Sequence, residues 1–143
     1  MIRPLQLSDA QSVAALHAAS FDHGWSVEDM WGHIQNDLAL GFFENHVLQG
    51  FILLRVVDAQ ADILTIAVSK SCRGKGYGAL LLEASETELK MKGVDVIFLE
   101  VAENNHAAIA LYKRCGFYSI GRRPGYYRQA GGRVAALSLS KRL

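Results

Sequence analysis

Proline and cysteine are scarce in this 143-residue chain, which carries two of each: Pro4, Pro124, Cys72 and Cys115. Two distant cysteines match no disulfide framework, Cys-x-x-Cys redox pair or zinc spacing, and read as reduced thiols. The histidines (His17, His23, His33, His46, His106) are scattered, with no His-Glu-x-x-His and no pair at i, i+4, so no metal site is expected. No apolar run approaches the ~20 residues that cross a bilayer. The start, "MIRPLQLSDAQSV", lacks the charged head and apolar stretch of a signal peptide. A cytoplasmic protein without a membrane partner is the expectation. An excess of one charge is also missing: 15 Lys and Arg against 14 Asp and Glu leave +1, which does not suggest a surface for wrapping a polyanion. Direct nucleic-acid binding is therefore not expected. The short basic and aromatic segment "GRRPGYYRQAGGR" could stack on RNA, but in so neutral a chain it reads as a substrate loop.

What is present suits one folded domain spanning residues 1–143: half the residues are hydrophobic and a fifth are charged. Ile2–Gln6 reads as a strand. Ser8 and Gln11 make a capping box for a first helix, and Ser26 and Asp29 repeat the device for a second. "LALGFFE", "HVLQGFILLRVV" and "QADILTIAV" are β-rich runs separated by the pairs Asn45-His46 and Asp58-Ala59, an antiparallel meander. A helix over Gly78–Met91 stops at Gly93, "VDVIFLEV" is a buried strand, and Asn105–Arg114 is a helix closed by Gly116. "FYSIG" and "VAALSLS" are the last strands, flanking a loop rich in Gly, Arg and Tyr. The order β-α-α-β-β-β-α-β-α-β-β predicts an α/β fold with a mixed sheet, hairpins first and a βαβ crossover after.

Between the meander and the third helix lies "RGKGYG", Arg73–Gly78. Glycines at a helix start let backbone N–H groups approach an anion closely, and the helix dipole favours negative charge there. Arg73 and Lys75 add cations. Such a loop can also be a connector without a ligand. Gly74-x-Gly76-x-x-Ala79 is a degenerate dinucleotide fingerprint with Glu100 downstream, but that fingerprint follows the first strand of a βαβ unit, and an antiparallel meander precedes this one. No Gly-Lys-Ser/Thr ending is present, which excludes a P-loop.

Further on, Glu100 is a carboxylate in an apolar strand, a costly place unless the charge is paired, used or at an end that reaches solvent. Asn105 could be an N-cap and Tyr112 a core tyrosine. Cys72 borders the glycine loop, with no histidine beside it in sequence to activate it, and reads as a passive thiol.

Arg73-x-x-Gly76-x-Gly78 after an "IAV" strand resembles the acetyl-CoA signature of the GCN5-related N-acetyltransferase (GNAT) family. Asn105-x-x-Ala108-x-x-Leu111-Tyr112 followed by Gly116-Phe117 resembles the family's second signature, and the predicted element order matches its fold over nearly the whole chain. The Glu100, Asn105 and Tyr112 spacing is similar to that of the RimI-like ribosomal-protein-alanine N-acetyltransferases. So are Trp25-Ser26 and Arg123-x-x-Tyr126-Tyr127, although Gly24 stands where that group has proline. The resemblance implies a co-substrate site for acetyl-CoA from Ile66, Ala67 and Val68 and from Arg73, Gly74, Lys75, Gly76, Tyr77 and Gly78, with Asn105 at the pantetheine. It implies Glu100 and Tyr112 as catalytic residues, one taking the amine's proton and the other serving the leaving thiolate. Trp25, Tyr126 and Tyr127 fall to the acceptor. The implied reaction is acetylation of a protein N-terminus, such as a ribosomal protein's N-terminal alanine, by a monomer or weak dimer. Acetylation of a small amine or a lysine, or non-catalytic acyl-CoA binding, are the alternatives.

Overall fold

The computed structural model describes residues 1–21 and 23–143. In chain order the elements are β1 (Ile2–Pro4), α1 (Ala10–Ser20), α2 (Val27–Asn36), β2 (Leu38–Glu44), β3 (Val47–Val57), β4 (Gln60–Val68), α3 (Tyr77–Met91), β5 (Val96–Ala102), α4 (His106–Arg114), β6 (Tyr118–Gln129) and β7 (Gly132–Arg142). The described strands form one sheet in the order β1-β2-β3-β4-β5-β7-β6. Among the described residues only β4 and β5 pair in parallel, across the α3 crossover. This is the mixed α/β sheet that the element order predicts.

The turns follow from local chemistry. Asn45 and His46 both adopt positive φ (49° and 65°) in the two-residue link between β2 and β3, a hairpin turn whose twist matches the strands. At α2, Ser26 and Asp29 form the expected capping box: Asp29 N–H donates to Ser26 Oγ at 3.0 Å, and Ser26 N–H to Asp29 Oδ2 at 3.2 Å. At α1 the expected box of Ser8 and Gln11 is replaced. A 3-10 turn over Leu7–Asp9 precedes the helix, and the Asp9 carboxylate accepts from Gln6 N–H at 2.7 Å while Arg3 donates to it at 2.8 and 3.1 Å. A charged acceptor with a cation partner outcompetes a hydroxyl.

The last two strands also differ from expectation. They run through most of the segment read as a loop and meet at Gln129 and Gly132. Glycines, Pro124 and arginines mask a strand that lies at the sheet's edge, where proline costs no ladder bond and charge is tolerated.

Alternation along the central strands feeds two cores. Ile52, Leu54, Ile97 and Leu99 pack with Leu81, Leu82 and Leu89 of α3 and Tyr112 of α4. Phe51 and Leu53 face the other way, onto Val13 and Ala14 of α1 and Met30 of α2. Each such fully buried side chain contributes about 1.5–3 kcal/mol. A sheet covered on both faces explains why β3 reads as one continuous apolar run.

Candidate active site

The parallel pairing of β4 with β5 lasts three residues, from Gln60 opposite Val96 to Asp62 opposite Phe98. Beyond it the strands part. Against β3, Leu53 faces Thr65 and Leu54 faces Ile63, so Leu64 is an extra residue, a bulge that bends β4 at the point of separation. Residues 63–68 remain paired to β3, but alternate backbone groups on their other side face a gap instead of a strand. A cleft of about 520 Å³ opens there, lined by Asp62, Ile63 and Leu64 from β4, Phe98, Leu99 and Glu100 from β5, and Ile120, Tyr126, Tyr127, Ser138 and Leu139 from the last hairpin.

Ile66, Ala67 and Val68 continue β4 past the separation and lead into the glycine loop. Arg73 Nε donates to the Val68 carbonyl at 3.1 Å, pinning loop to strand. Gly74 (φ 79°) and Gly76 (φ 85°) hold a backbone conformation that favours glycine, and a Cβ on either would point into open space. Gly76 caps the 15-residue α3 with no side-chain hydrogen bond, which leaves the first N–H groups of the helix free. Lys75 is exposed beside them. Tyr77 contributes backbone here; its ring stacks on Phe42 at 4.1 Å, in the core. Gly78 serves packing, since a Cβ would lie 2.9 Å from Leu111 Cδ2 of α4. Cys72 is buried, its thiol 3.3 Å from Gln49 Oε1.

On β5, α4 and β6 the candidate groups are side chains. Glu100 sits on β5 opposite Ser138, its side chain 31% exposed, with Arg123 Nη2 3.5 Å from Oε1. The Arg123 guanidinium lies 5.2 Å from the centre of the Tyr126 ring, and Tyr126 meets Tyr127 edge-on at 5.1 Å. Burial, reinforced by the Glu100 and Tyr126 charges, pushes the Tyr127 phenol up to about 12. Tyr112 is buried on α4, edge-on to Phe117 at 5.7 Å. Burial raises its phenol well above the ordinary value, with Tyr127 adding to the effect. Tyr127 is thus within electrostatic reach of both Glu100 and Tyr112. Both phenols stay protonated across the physiological range and can donate hydrogen bonds. Asn105 caps α4, its Oδ1 accepting from Ala108 N–H at 3.3 Å.

Of the residues read from the sequence, Glu100, Tyr126 and Tyr127 line this cleft, whereas Trp25, Tyr112, Asn105, Ile66–Val68 and the loop Arg73–Gly78 are not among its lining. The Trp25 ring is stacked between His17 (4.6 Å) and His33 (4.8 Å), and its backbone N–H donates to His17 Nδ1 at 3.2 Å. Conversely, Asp62, Leu64 and Phe98 line the cleft without a signal in the sequence, and Arg123, named there only within its motif, faces Glu100.

The sheet, the glycine loop and the cleft together define an acyltransferase scaffold, and residues 9–117 match the acetyltransferase (GNAT) family. The chain belongs to that family and is an N-acetyltransferase. It is 30% identical over 141 residues to the [ribosomal protein bS18]-alanine N-acetyltransferase of Haemophilus influenzae, spanning 90% of this chain and 96% of that protein. The protein of the same name from Escherichia coli strain K12 is 31% identical over 141 residues, 97% of this chain and 95% of its own. The crystal structure of the Escherichia coli ribosomal-protein-S18-alanine N-acetyltransferase superposes with a TM-score of 0.93 at 29% identity, covering 99% of this chain and 92% of that one. The structure of yncA from Salmonella typhimurium with its cofactor acetyl-CoA shares the fold, with a TM-score of 0.88 at 20% identity over 100% of this chain and 93% of its own.

Proposed function

We propose that this chain, acting as one catalytic unit in the cytoplasm, moves an acetyl group from acetyl-CoA to the α-amine of a protein N-terminus, the N-terminal alanine of ribosomal protein bS18. The observation that carries the reading is Glu100, a carboxylate lining a cleft that opens where β4, the strand that runs on into the glycine loop before α3, leaves β5. Similarity to two bS18-alanine N-acetyltransferases along nearly their whole length supports the acceptor. The relative solved with acetyl-CoA supports the donor.

The residues present suit acetyl-CoA. The free N–H groups at Gly76–Gly78 and the cations Arg73 and Lys75 would hold its pyrophosphate. The unpaired side of Ile66–Val68 would meet the amide-bearing arm, as a missing strand would, and an N–H near Val68 would polarise the thioester carbonyl. Asn105, whose side-chain amide keeps donors beyond its capping bond, would serve the pantetheine arm. Glu100 takes the proton that the acceptor ammonium must lose before it attacks. Tyr112, held protonated, donates a hydrogen bond to the sulfur as the C–S bond breaks. With an ordinary pKa near 8, an α-amine has a neutral fraction at pH 7.5 about a hundredfold or more above that of a lysine near 10.4. Tyr126 and Tyr127 flank the amine's approach, and the stacked Trp25 supports the α1–α2 side.

The test is thiol release from acetyl-CoA with Ala-starting peptides, free lysine and polyamines, with mass spectrometry locating the acetyl group. Acetyl on the peptide α-nitrogen is expected. Transfer to lysine or polyamines alone would replace the acceptor, and binding without release to any acceptor would leave an acyl-CoA-binding module.

A further inference from the structure

Two neighbouring arginines on β6 are held very differently. Arg122 grips Glu103 through two nitrogens at 2.8 and 3.0 Å. Arg123 reaches Glu100 through a single nitrogen at 3.5 Å, and its side chain is 59% exposed. A local irregularity puts it there. The pairing of β6 with β7 jumps from Arg123 opposite Ala136 to Tyr127 opposite Val134, so Pro124, Gly125 and Tyr126 stand against one residue. Gly125 takes φ 61°, and Arg133 Nη1 donates to its carbonyl at 3.3 Å. Bulges of this kind re-aim the side chains around them. Here the guanidinium comes to rest between a carboxylate and the Tyr126 ring, which offers a cation a second resting place.

We propose that Arg123 is an acceptor-displaced gate: in the empty cleft its guanidinium occupies the place beside Glu100 that the acceptor's ammonium takes, and it withdraws onto Tyr126 when the amine arrives. This rests on the reading that Glu100 meets the acceptor's amine. An arginine stays protonated, so it occupies the carboxylate without reacting. A compact ammonium with three donors can displace it, whereas water brings no charge to compete. The gate therefore also limits hydrolysis, in which a water oxygen bonds to the acetyl carbon, the C–S bond breaks, Glu100 takes a proton from the water, and acetate and CoA thiol are released.

The experiment compares wild type, R123A, R123Q and R123K with acetyl-CoA and an Ala-starting peptide. An exposed ion pair of this sort shifts an equilibrium by up to about fivefold. R123A and R123Q should lower the acceptor KM by up to that factor with kcat within about twofold, and should speed acceptor-free thiol release by a similar factor. R123K should restore both. A raised KM in R123A would make Arg123 an acceptor-binding group and overturn the gate, as would a lower kcat with KM unchanged in all three variants. If wild type acetylates the peptide while R123A alters neither KM nor hydrolysis, the gate alone fails. If wild type transfers nothing to any α-amine, the functional reading fails and the gate with it.

Discussion

From Arg73 to Gly78 the chain offers a ligand mainly its backbone; from Glu100 to Tyr127 it offers side chains. The first wall is six consecutive residues whose geometry is set by two left-handed glycines and a helix start. The second is gathered from β5 and β6, with Tyr112 of α4 buried in the core, and depends on strand register and a bulge. The first presents backbone N–H groups flanked by the cations Arg73 and Lys75, and the second presents a carboxylate and phenols. Under the proposed function, binding and chemistry should therefore be separable by substitution.

The largest expected effect tests that separation directly. Glu100→Gln should lower kcat about 10²- to 10³-fold, with acetyl-CoA affinity by calorimetry unchanged. A comparable loss of acetyl-CoA affinity would break the division. Tyr112→Phe should cost about 10- to 100-fold in kcat, again at constant acetyl-CoA affinity. Because burial raises the Tyr112 pKa above the ordinary value near 10, it stays protonated below that pH. The pH–rate profile of this variant should therefore run parallel to wild type up to about pH 10. A wild-type alkaline limb near pH 9 that vanishes in the variant would assign the ionisation to Tyr112 after all. Gly76→Val places a β-branched residue at φ 85° and should raise the acetyl-CoA KM about tenfold while leaving the acceptor KM alone.

The smallest effect concerns stability, on the sheet face behind neither wall. Burial lowers the pKa of His17, and the nearby His33 lowers it further. The folded chain therefore resists a proton that the unfolded chain takes up below about pH 6.5. The stability this provides is present above that pH and is lost as pH falls, by no more than about 1.4 kcal/mol per pH unit for one proton. Melting temperature should fall between pH 7 and pH 5, and His17→Gln should flatten that slope. An unchanged slope would mean that the imidazole between Phe21 and Trp25 takes its proton freely.

Legibility followed the same divide. The glycine loop is contiguous, so its spacing and its place before a helix could be read directly. Glu100 could be noticed because a charge in an apolar strand is conspicuous. Its distance to Arg123 could not, since the two are joined only through β7 and a three-residue bulge that no local pattern announces. Trp25 illustrates the converse. Its position before a capping box is plain in sequence, but the histidines that enclose it come from two helices. The β6 strand was hidden because an edge strand needs neither the apolar alternation nor the full donor set of a central one. Asp9 displaced Ser8 as the helix-start acceptor because Arg3, on another element, stood ready to pair with it.

The brief contact between β4 and β5 has a mechanical side. Among the described residues, three rungs of parallel ladder and the Asp95 N–H bond to the Ala59 carbonyl at 2.9 Å join the backbone of the β1–β4 half of the sheet to the β5–β7 half. Across that seam, α3 and the shared apolar layer under it act as the splint. A molecule stitched this way concentrates shear along one line. The gap where β4 and β5 part lies along that same line.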